Sequence, residues 1–260
     1  SGSWTLADDP DYHLDASACN TMVTALASLN AKRKLTDQPG EDYGLADPAV
    51  TVTVTAAGET NTFAFGTENP VTGDLYVQKA GDDAVYTVSG NKEACFERTK
   101  ADLFGTFNPA GLTASALESV SITTGSGTLA LNAVSEPAEA ESNPEDASSE
   151  SAAGSATYHT VWRLADEPSA DLDDSKVQSI LSALAGYVTA QITDADPSAY
   201  DFDAPLATVQ AETADGTVTL YYASNADGCW MMVEGDSSIY AVDLDTVQAL
   251  LITAAAVKAE

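Results

Sequence analysis

The sequence predicts an α+β fold made of two tandem copies of one unit, an amphipathic helix packed on a mainly antiparallel sheet. Three observations predict it. The segment Trp4-Thr-Leu-Ala-Asp-Asp-Pro10 returns as Trp162-Arg-Leu-Ala-Asp-Glu-Pro168, a spacing too long for a solenoid repeat and right for a duplicated domain. Behind each copy, apolar residues recur at helical spacing. Alternating β-rich runs separated by turn residues then appear in the same order twice.

The helix signals come first. Asp15 and Asp173 stand as N-caps, with Leu14 and Leu172 in the N′ position of a hydrophobic staple. One face then carries Cys19, Met22, Val23, Leu26 and Leu29, matched by Val177, Ile180, Leu181, Leu184 and Tyr187. Lys32-Arg33-Lys34 lies just past the first helix and is read as a favourable charge at its C-terminus, with phosphate binding as the weaker alternative. The second copy has Ala190-Gln191-Ile192 there, so the cluster is not a shared device.

Strand signals come next. Pro48 and Pro205 precede the runs Val50–Val54 and Thr208–Glu212, and turns at Ala57-Gly58 and Asp215-Gly216 lead to Thr62–Phe65 and Val218–Tyr221. Further strands are predicted at Leu75–Val77 and Val85–Val88, and at Trp230–Val233 and Ile239–Val242. A closing helix is predicted over Asn91–Leu103 and over Leu244–Val257. The two repeat tryptophans, placed on matching strands, are read as core anchors.

The predicted division is a first repeat over 1–116, a hairpin over 117–134 joining the second unit's sheet, an acidic flexible linker over 135–156, and a second repeat over 157–260. The linker carries six acidic residues and no basic one, a composition that cannot offset the entropy of ordering. The first copy lacks strands equivalent to the hairpin, and the start at Ser1-Gly2-Ser3 reads as a trimmed end.

Composition excludes several functions. Ten Lys and Arg stand against 40 Asp and Glu, a net charge of −30, which repels nucleic acid and anionic lipid. No apolar run is long enough to span a bilayer, so no direct membrane insertion by these residues is expected. The three cysteines, Cys19, Cys95 and Cys229, lack a C-x-x-C spacing and are read as structural, as are His13 and His159. No nucleophile elbow, phosphate loop, dinucleotide fingerprint or zinc-protease helix is present. No catalytic residue and no cofactor is therefore assigned, and the chain is read as not an enzyme.

Metal binding is left open. Asp194, Asp196, Asp201 and Asp203 flank one turn, and Asp37, Glu41, Asp42 and Asp47 occupy the equivalent loop of the first copy. An EF-hand counted from Asp194 would need Gly and Glu where Ala199 and Pro205 stand, so only weak calcium binding of another kind is open to these residues.

The order Trp-x-Leu, then Leu-Asp with its helix, then Tyr43-Gly44-Leu45-Ala46-Asp47-Pro48, then paired strands with Tyr76-Val77, resembles the bacterial domain-of-unknown-function family numbered 4340, present as two copies. The second copy keeps Tyr200 and Pro205 but replaces Gly-Leu by Asp201-Phe202. The resemblance implies an extracytoplasmic, cell-envelope location behind one N-terminal anchor, with genes often beside ABC-type permeases. It carries over no catalytic residue. The expectation is an uncharacterised binding or scaffold domain pair, accessory to an ABC-type transport system, whose partner is a protein or polymer of the envelope. The alternatives are a glycan hydrolase working through paired carboxylates, a weak calcium-binding envelope module, and a spacer.

Overall fold

In a computed structural model of the 260-residue chain, the described residues are 3–36, 42–90, 95–137 and 157–259. They form a mostly antiparallel α+β structure that divides into two compact units, Ser1–Gly105 and Thr106–Glu260. No helix among them is long and apolar enough to cross a membrane.

The first unit opens with α1 (Ala16–Ala27), capped by the Asp15 carboxylate, which accepts from the Ser17 N–H at 2.7 Å. Five strands come after it: β1 (Arg33–Leu35), β2 (Val50–Ala56), β3 (Glu59–Glu68), β4 (Asp74–Lys79) and β5 (Val85–Ser89). They pair antiparallel in the order β1-β5-β4-β3-β2. Phe65, Leu75, Val77 and Val88 are buried on the core side, with Leu29, Val50, Val52, Phe63 and Phe96 packed around them. The β2–β3 turn has Ala57 and Gly58 both at positive φ, 51° and 83°, the geometry of a two-residue hairpin loop that matches strand twist.

The second unit contains β6 (Leu117–Thr124), β7 (Gly127–Pro137), β8 (Tyr158–Leu164), α2 (Asp174–Leu184) and β9 (Ala190–Ile192). Then come β10 (Ala207–Thr213), β11 (Gly216–Asn225), β12 (Gly228–Val233), β13 (Ile239–Val242) and α3 (Leu244–Leu250). Its sheet runs β8-β7-β6-β10-β11-β12-β13-β9. From the far edge, β9-β13-β12-β11-β10 repeats the first sheet strand for strand, and β6–β8 continue it beyond β10. The 117–134 hairpin therefore lies in the second unit's sheet, and β7 runs on through Pro137 to pair with Tyr158 of β8. The rest of the acidic segment, 138–156, lies outside the described residues.

Each unit is closed by the same clasp. Leu14 bridges Phe104, and Leu172 bridges Lys258. The Asp15 N–H donates to Leu103 at 2.8 Å, and the Asp173 N–H to Val257 at 2.9 Å. Beside each bridge the sixth residue of the tryptophan repeat forms an ion pair: Asp9 with Lys100 and Glu167 with Lys258. The Leu-Asp pair thus ends a bridge and caps a helix at once, which fixes where the helix starts.

Several expectations are corrected. Residues 95–103 hold no α-helix: Cys95 is in 3-10 conformation and a 3-10 turn spans Ala101–Leu103; residues 91–94 of that predicted helix lie outside the described set. Thr99 and Asp102 bond to each other's backbone N–H groups and tie the chain into a local turn, and the clasp then takes Leu103 and Phe104. The closing helix of the second unit stops at Leu250 rather than Val257 for the same reason, because Val257 and Lys258 are committed to the clasp. Lys32-Arg33-Lys34 does not sit at a helix end: α1 is already capped at Ser28, and Arg33 and Lys34 open β1. Trp4 is no core anchor. It is 41% exposed, its Nε1–H donating to Asn20 Oδ1 at 3.1 Å, because the indole N–H needs a polar partner that the α1 surface supplies. Trp162 is half-buried on the edge strand β8. Tyr187 lies past the end of α2, 70% exposed, and Val188 is buried in its stead. Cys95 is half-buried in 3-10 conformation rather than in an α-helix, while Cys19 and Cys229 are buried.

The α2 cap makes a pH prediction. Hydrogen bonds from the Ser175 hydroxyl, and then from Lys176 and the backbone N–H groups, hold the Asp173 carboxyl below the usual carboxylate range. A carboxyl lowered by folding contributes stability that is complete above about pH 4 and is lost as pH falls through the folded-state value. Asp173→Asn is therefore expected to flatten the acid limb of a urea-midpoint against pH curve below about pH 4. An unchanged acid limb would remove the cap's charge from the account.

Candidate cavity on the first unit

The first sheet's second face carries a cavity of about 230 Å³ lined by Arg33, Leu35, Tyr43, Asn69, Thr72, Asp74, Tyr76 and Thr87. Strand register builds it. Arg33 on β1 stands opposite Thr87 on β5, and Thr87 opposite Tyr76 on β4. These three side chains form one cross-strand row, and Asp74, two residues before Tyr76, shares its face. The core residues Leu75, Val77 and Val88 alternate with them onto the other face.

The Tyr43–Leu45 segment lies over this row. The Tyr43 ring sits 4.6 Å from that of Tyr76, centroid to centroid. Gly66 on β3 permits the approach: a Cβ there would stand 2.1 Å from the Tyr43 carbonyl oxygen. That oxygen accepts from the Thr67 N–H at 2.9 Å. Gly44 takes a φ of +69°, which few side chains tolerate.

Polar groups in the cavity differ in how far they are satisfied. Asn69 donates to the Tyr76 hydroxyl at 2.7 Å and accepts from the Val71 and Thr72 N–H groups. Asp74 is paired with Lys32. Thr87 Oγ1 has no hydrogen-bond partner among the described residues although the residue is only 4% exposed, and a buried hydroxyl left in that state is costly. Arg33 is exposed and makes no ion pair among the described residues. Lys34 lies 5.7 Å from the centre of the Tyr86 ring.

The second unit keeps the frame and changes the contents. Tyr200 packs edge-on against Trp230 at 4.8 Å, where Tyr43 packs tilted on Tyr76 at 4.6 Å. Asn225 hydrogen-bonds the Trp230 Nε1–H at 2.9 Å. At the register positions of Arg33 and Thr87 stand Ala190 and Ala241, and β12 opens with Gly228 where β4 opens with Asp74. Phe202 is buried there in an apolar cluster with Ala223 and Ile239.

The described members of the sequence-predicted metal ligands do not assemble into such a site. Among the described residues no group of three or more His, Cys, Asp or Glu side chains is placed to hold a metal ion. The Asp196 carboxylate accepts from the Ser198 N–H at 3.1 Å, capping a short 3-10 turn, and Asp201 supplies a left-handed residue at φ 62°. Asp42 bonds the Gly44 N–H; Asp37 and Glu41 lie outside the described residues. His13 joins the clasp through its carbonyl, which accepts from the Gly105 N–H, and His159 pairs with Glu136 across β8 and β7.

Thr87 and Asn69 were not singled out by the sequence, and Arg33 was read only as one of three cations past a helix end. The signal lies in the paired exchange of Arg33 for Ala190 and Thr87 for Ala241, which becomes legible only once register shows that the two positions touch.

No curated protein and no solved structure matches the chain significantly. A family model matches it twice, over residues 4–160 and 162–259, so nearly the whole chain is accounted for by two copies of one domain. The first match takes in β6 and β7, which hydrogen-bond within the second unit's sheet, so the family's repeat and the compact unit have different boundaries. The chain belongs to the family described as Domain of unknown function (DUF4340).

Proposed function

We propose that this chain is a non-enzymatic binding module of the cell envelope, held at the membrane by an N-terminal anchor and accessory to an ABC-type transport system. The observation that carries the binding reading is the first-unit cavity. It is a walled recess with a buried hydroxyl and an arginine both unpaired among the described residues, on a frame whose other copy lacks both. A fold does not maintain such a row for its own stability, since Ala190 and Ala241 serve the second sheet. Among the described residues lining the cavity Asp74 is the one carboxylate, and it is paired with Lys32. Hydrolysis of a glycosidic bond by the usual route takes two facing carboxyl groups, so the lining favours retention of a ligand over its cleavage. The envelope location and the permease association rest on the family resemblance.

Cross-linking in native membranes with the anchored protein tests this. Permease components are expected among the cross-linked products, enriched over an unrelated protein on the same anchor. Equal recovery from both would reject the transport association.

A further inference from the structure

We infer that the first-unit cavity is a carboxylate-binding site, in which Arg33 and the hydroxyls of Thr87 and Tyr76 hold the carboxylate of a small ligand against the Tyr43 ring. The inference rests on the binding-module reading and names the chemistry of its ligand.

Two of the cavity's polar groups are already engaged. Asn69 is satisfied, and the charge of Asp74 is met by Lys32. Three of the remaining groups can donate: the Arg33 fork, the Thr87 hydroxyl, and the Tyr76 hydroxyl hydrogen, since Asn69 occupies the Tyr76 oxygen as donor. A set of donors selects an acceptor, and a planar guanidinium beside two hydroxyls matches a planar carboxylate. Phosphate is disfavoured. Among the described residues no helix N-terminus lines the cavity, and a chain of net charge −30 repels a double charge more than a single one.

Position supports the same assignment. Arg33, Thr87 and Tyr76 form one cross-strand row, so the three donors converge without any loop having to move. Thr87 is buried and, among the described residues, unpaired while lining the cavity, the state expected of a group whose partner arrives with the ligand. A volume of about 230 Å³ lies below the usual range for drug-sized pockets and suits one terminal group, such as an amino-acid-sized unit or a single acidic sugar.

The second unit acts as an internal control. It retains the aromatic pair and its asparagine, Tyr200, Trp230 and Asn225, so these belong to the frame. It loses the whole polar set together: Ala190 for Arg33, Ala241 for Thr87, Thr189 for Lys32 and Gly228 for Asp74. Phe202 takes the place of Leu45 in an apolar cluster. Joint replacement of four polar residues is what removal of a site produces.

The test is an amide NMR titration of the whole chain with N-acetylglycine and with glucuronate, against N-acetylglycinamide, glucose and inorganic phosphate. At least one carboxylate is expected to shift the Arg33, Tyr76 and Thr87 amides saturably, in the millimolar range typical of a fragment. Saturation by N-acetylglycine identifies a peptide-type carboxylate, and saturation by glucuronate an acidic sugar; either supports the site. Arg33→Ala is expected to weaken binding about 10-fold or more. Arg33→Ala with Thr87→Ala, which copies the second unit, is expected to abolish it while amide dispersion elsewhere stays unchanged. The proposal is overturned if neutral probes bind as tightly as the acids, if phosphate binds more tightly, or if no probe shifts these amides. Permease cross-linking that succeeds beside a silent titration would remove the carboxylate site and leave the binding module standing.

Discussion

Leu181→Ala is expected to destabilise the second unit by about 2–5 kcal/mol, whereas Val23→Ala, at the aligned position of the first helix, is expected to change stability by no more than about 0.5 kcal/mol. The two residues hold the same place in the repeat and opposite places in the structure. Leu181 is 2% exposed and Val23 is 47% exposed. The difference arises from the segment that closes each sheet. In the second unit α2 packs on α3, which contributes the buried Val247 and Leu250, so Val177, Ile180, Leu181 and Leu184 all become interior. In the first unit residues 95–103 form no α-helix, and α1 buries only Cys19 and Ala25 fully. Removing three side-chain carbons from a filled interior forfeits both transfer energy and packing; at an exposed site neither is lost. Urea unfolding with an unchanged m-value reads the difference. A Leu181→Ala cost below about 1 kcal/mol would place α2 outside the core.

That asymmetry marks how far the sequence carries. Helix starts were legible because Asp15 and Asp173 are local signals, a side-chain acceptor for the N–H groups of the first turn. Strands β2–β5 and β10–β13 were legible from alternation and turn residues. The ends of the closing helices were not, because Asn91–Leu103 and Leu244–Val257 carry apolar residues that read as helix while their last residues accept from the N–H groups of Asp15 and Asp173, far away in sequence. Strands β1 and β9 were missed because three residues are too few to show a period. The cavity shares this limit. Arg33 looked like one of three cations behind a helix, and only pairing with Thr87 turns it inward to a site. The Asp82–Tyr86 and Asp236–Tyr240 hydrogen bonds, at 2.8 and 2.6 Å, recur in both units, and this repeated Asp-Tyr spacing could have been read from the two copies side by side.

Gly66→Ala carries the largest expected effect on the cavity. The added methyl would stand 2.1 Å from the Tyr43 carbonyl oxygen and 3.2 Å from both the Gly44 carbonyl carbon and the Leu45 side chain. Two of these three contacts are backbone atoms, so the strain cannot be relieved by a rotamer change. Overpacking of this kind costs about 1–3 kcal/mol, and the chain relieves it by lifting the Tyr43–Leu45 segment off the sheet. Lifting that segment breaks the hydrogen bond from Thr67 to the Tyr43 carbonyl and separates the Tyr43 and Tyr76 rings. The second unit shows what the sheet itself accepts: Ala223 stands at the equivalent place, fully buried opposite Trp230. The strand therefore tolerates a methyl, and what Gly66 serves is the close approach of the segment that walls the cavity. Gly66→Ala is thus expected to leave the β3–β4 amide pattern in place, lower the first unit's unfolding midpoint, and reduce carboxylate affinity at least about 10-fold, an effect of about 1.4 kcal/mol. An NMR spectrum with intact Tyr43–Tyr76 ring-current shifts and undiminished binding would show that the wall does not depend on this glycine. Gly58→Ala supplies the control, since a Cβ there meets no atom within 4 Å and its cost is confined to the turn, where φ is +83°. It should lower stability through the hairpin while leaving the cavity's affinity unchanged, which separates loss of the wall from general weakening of the sheet.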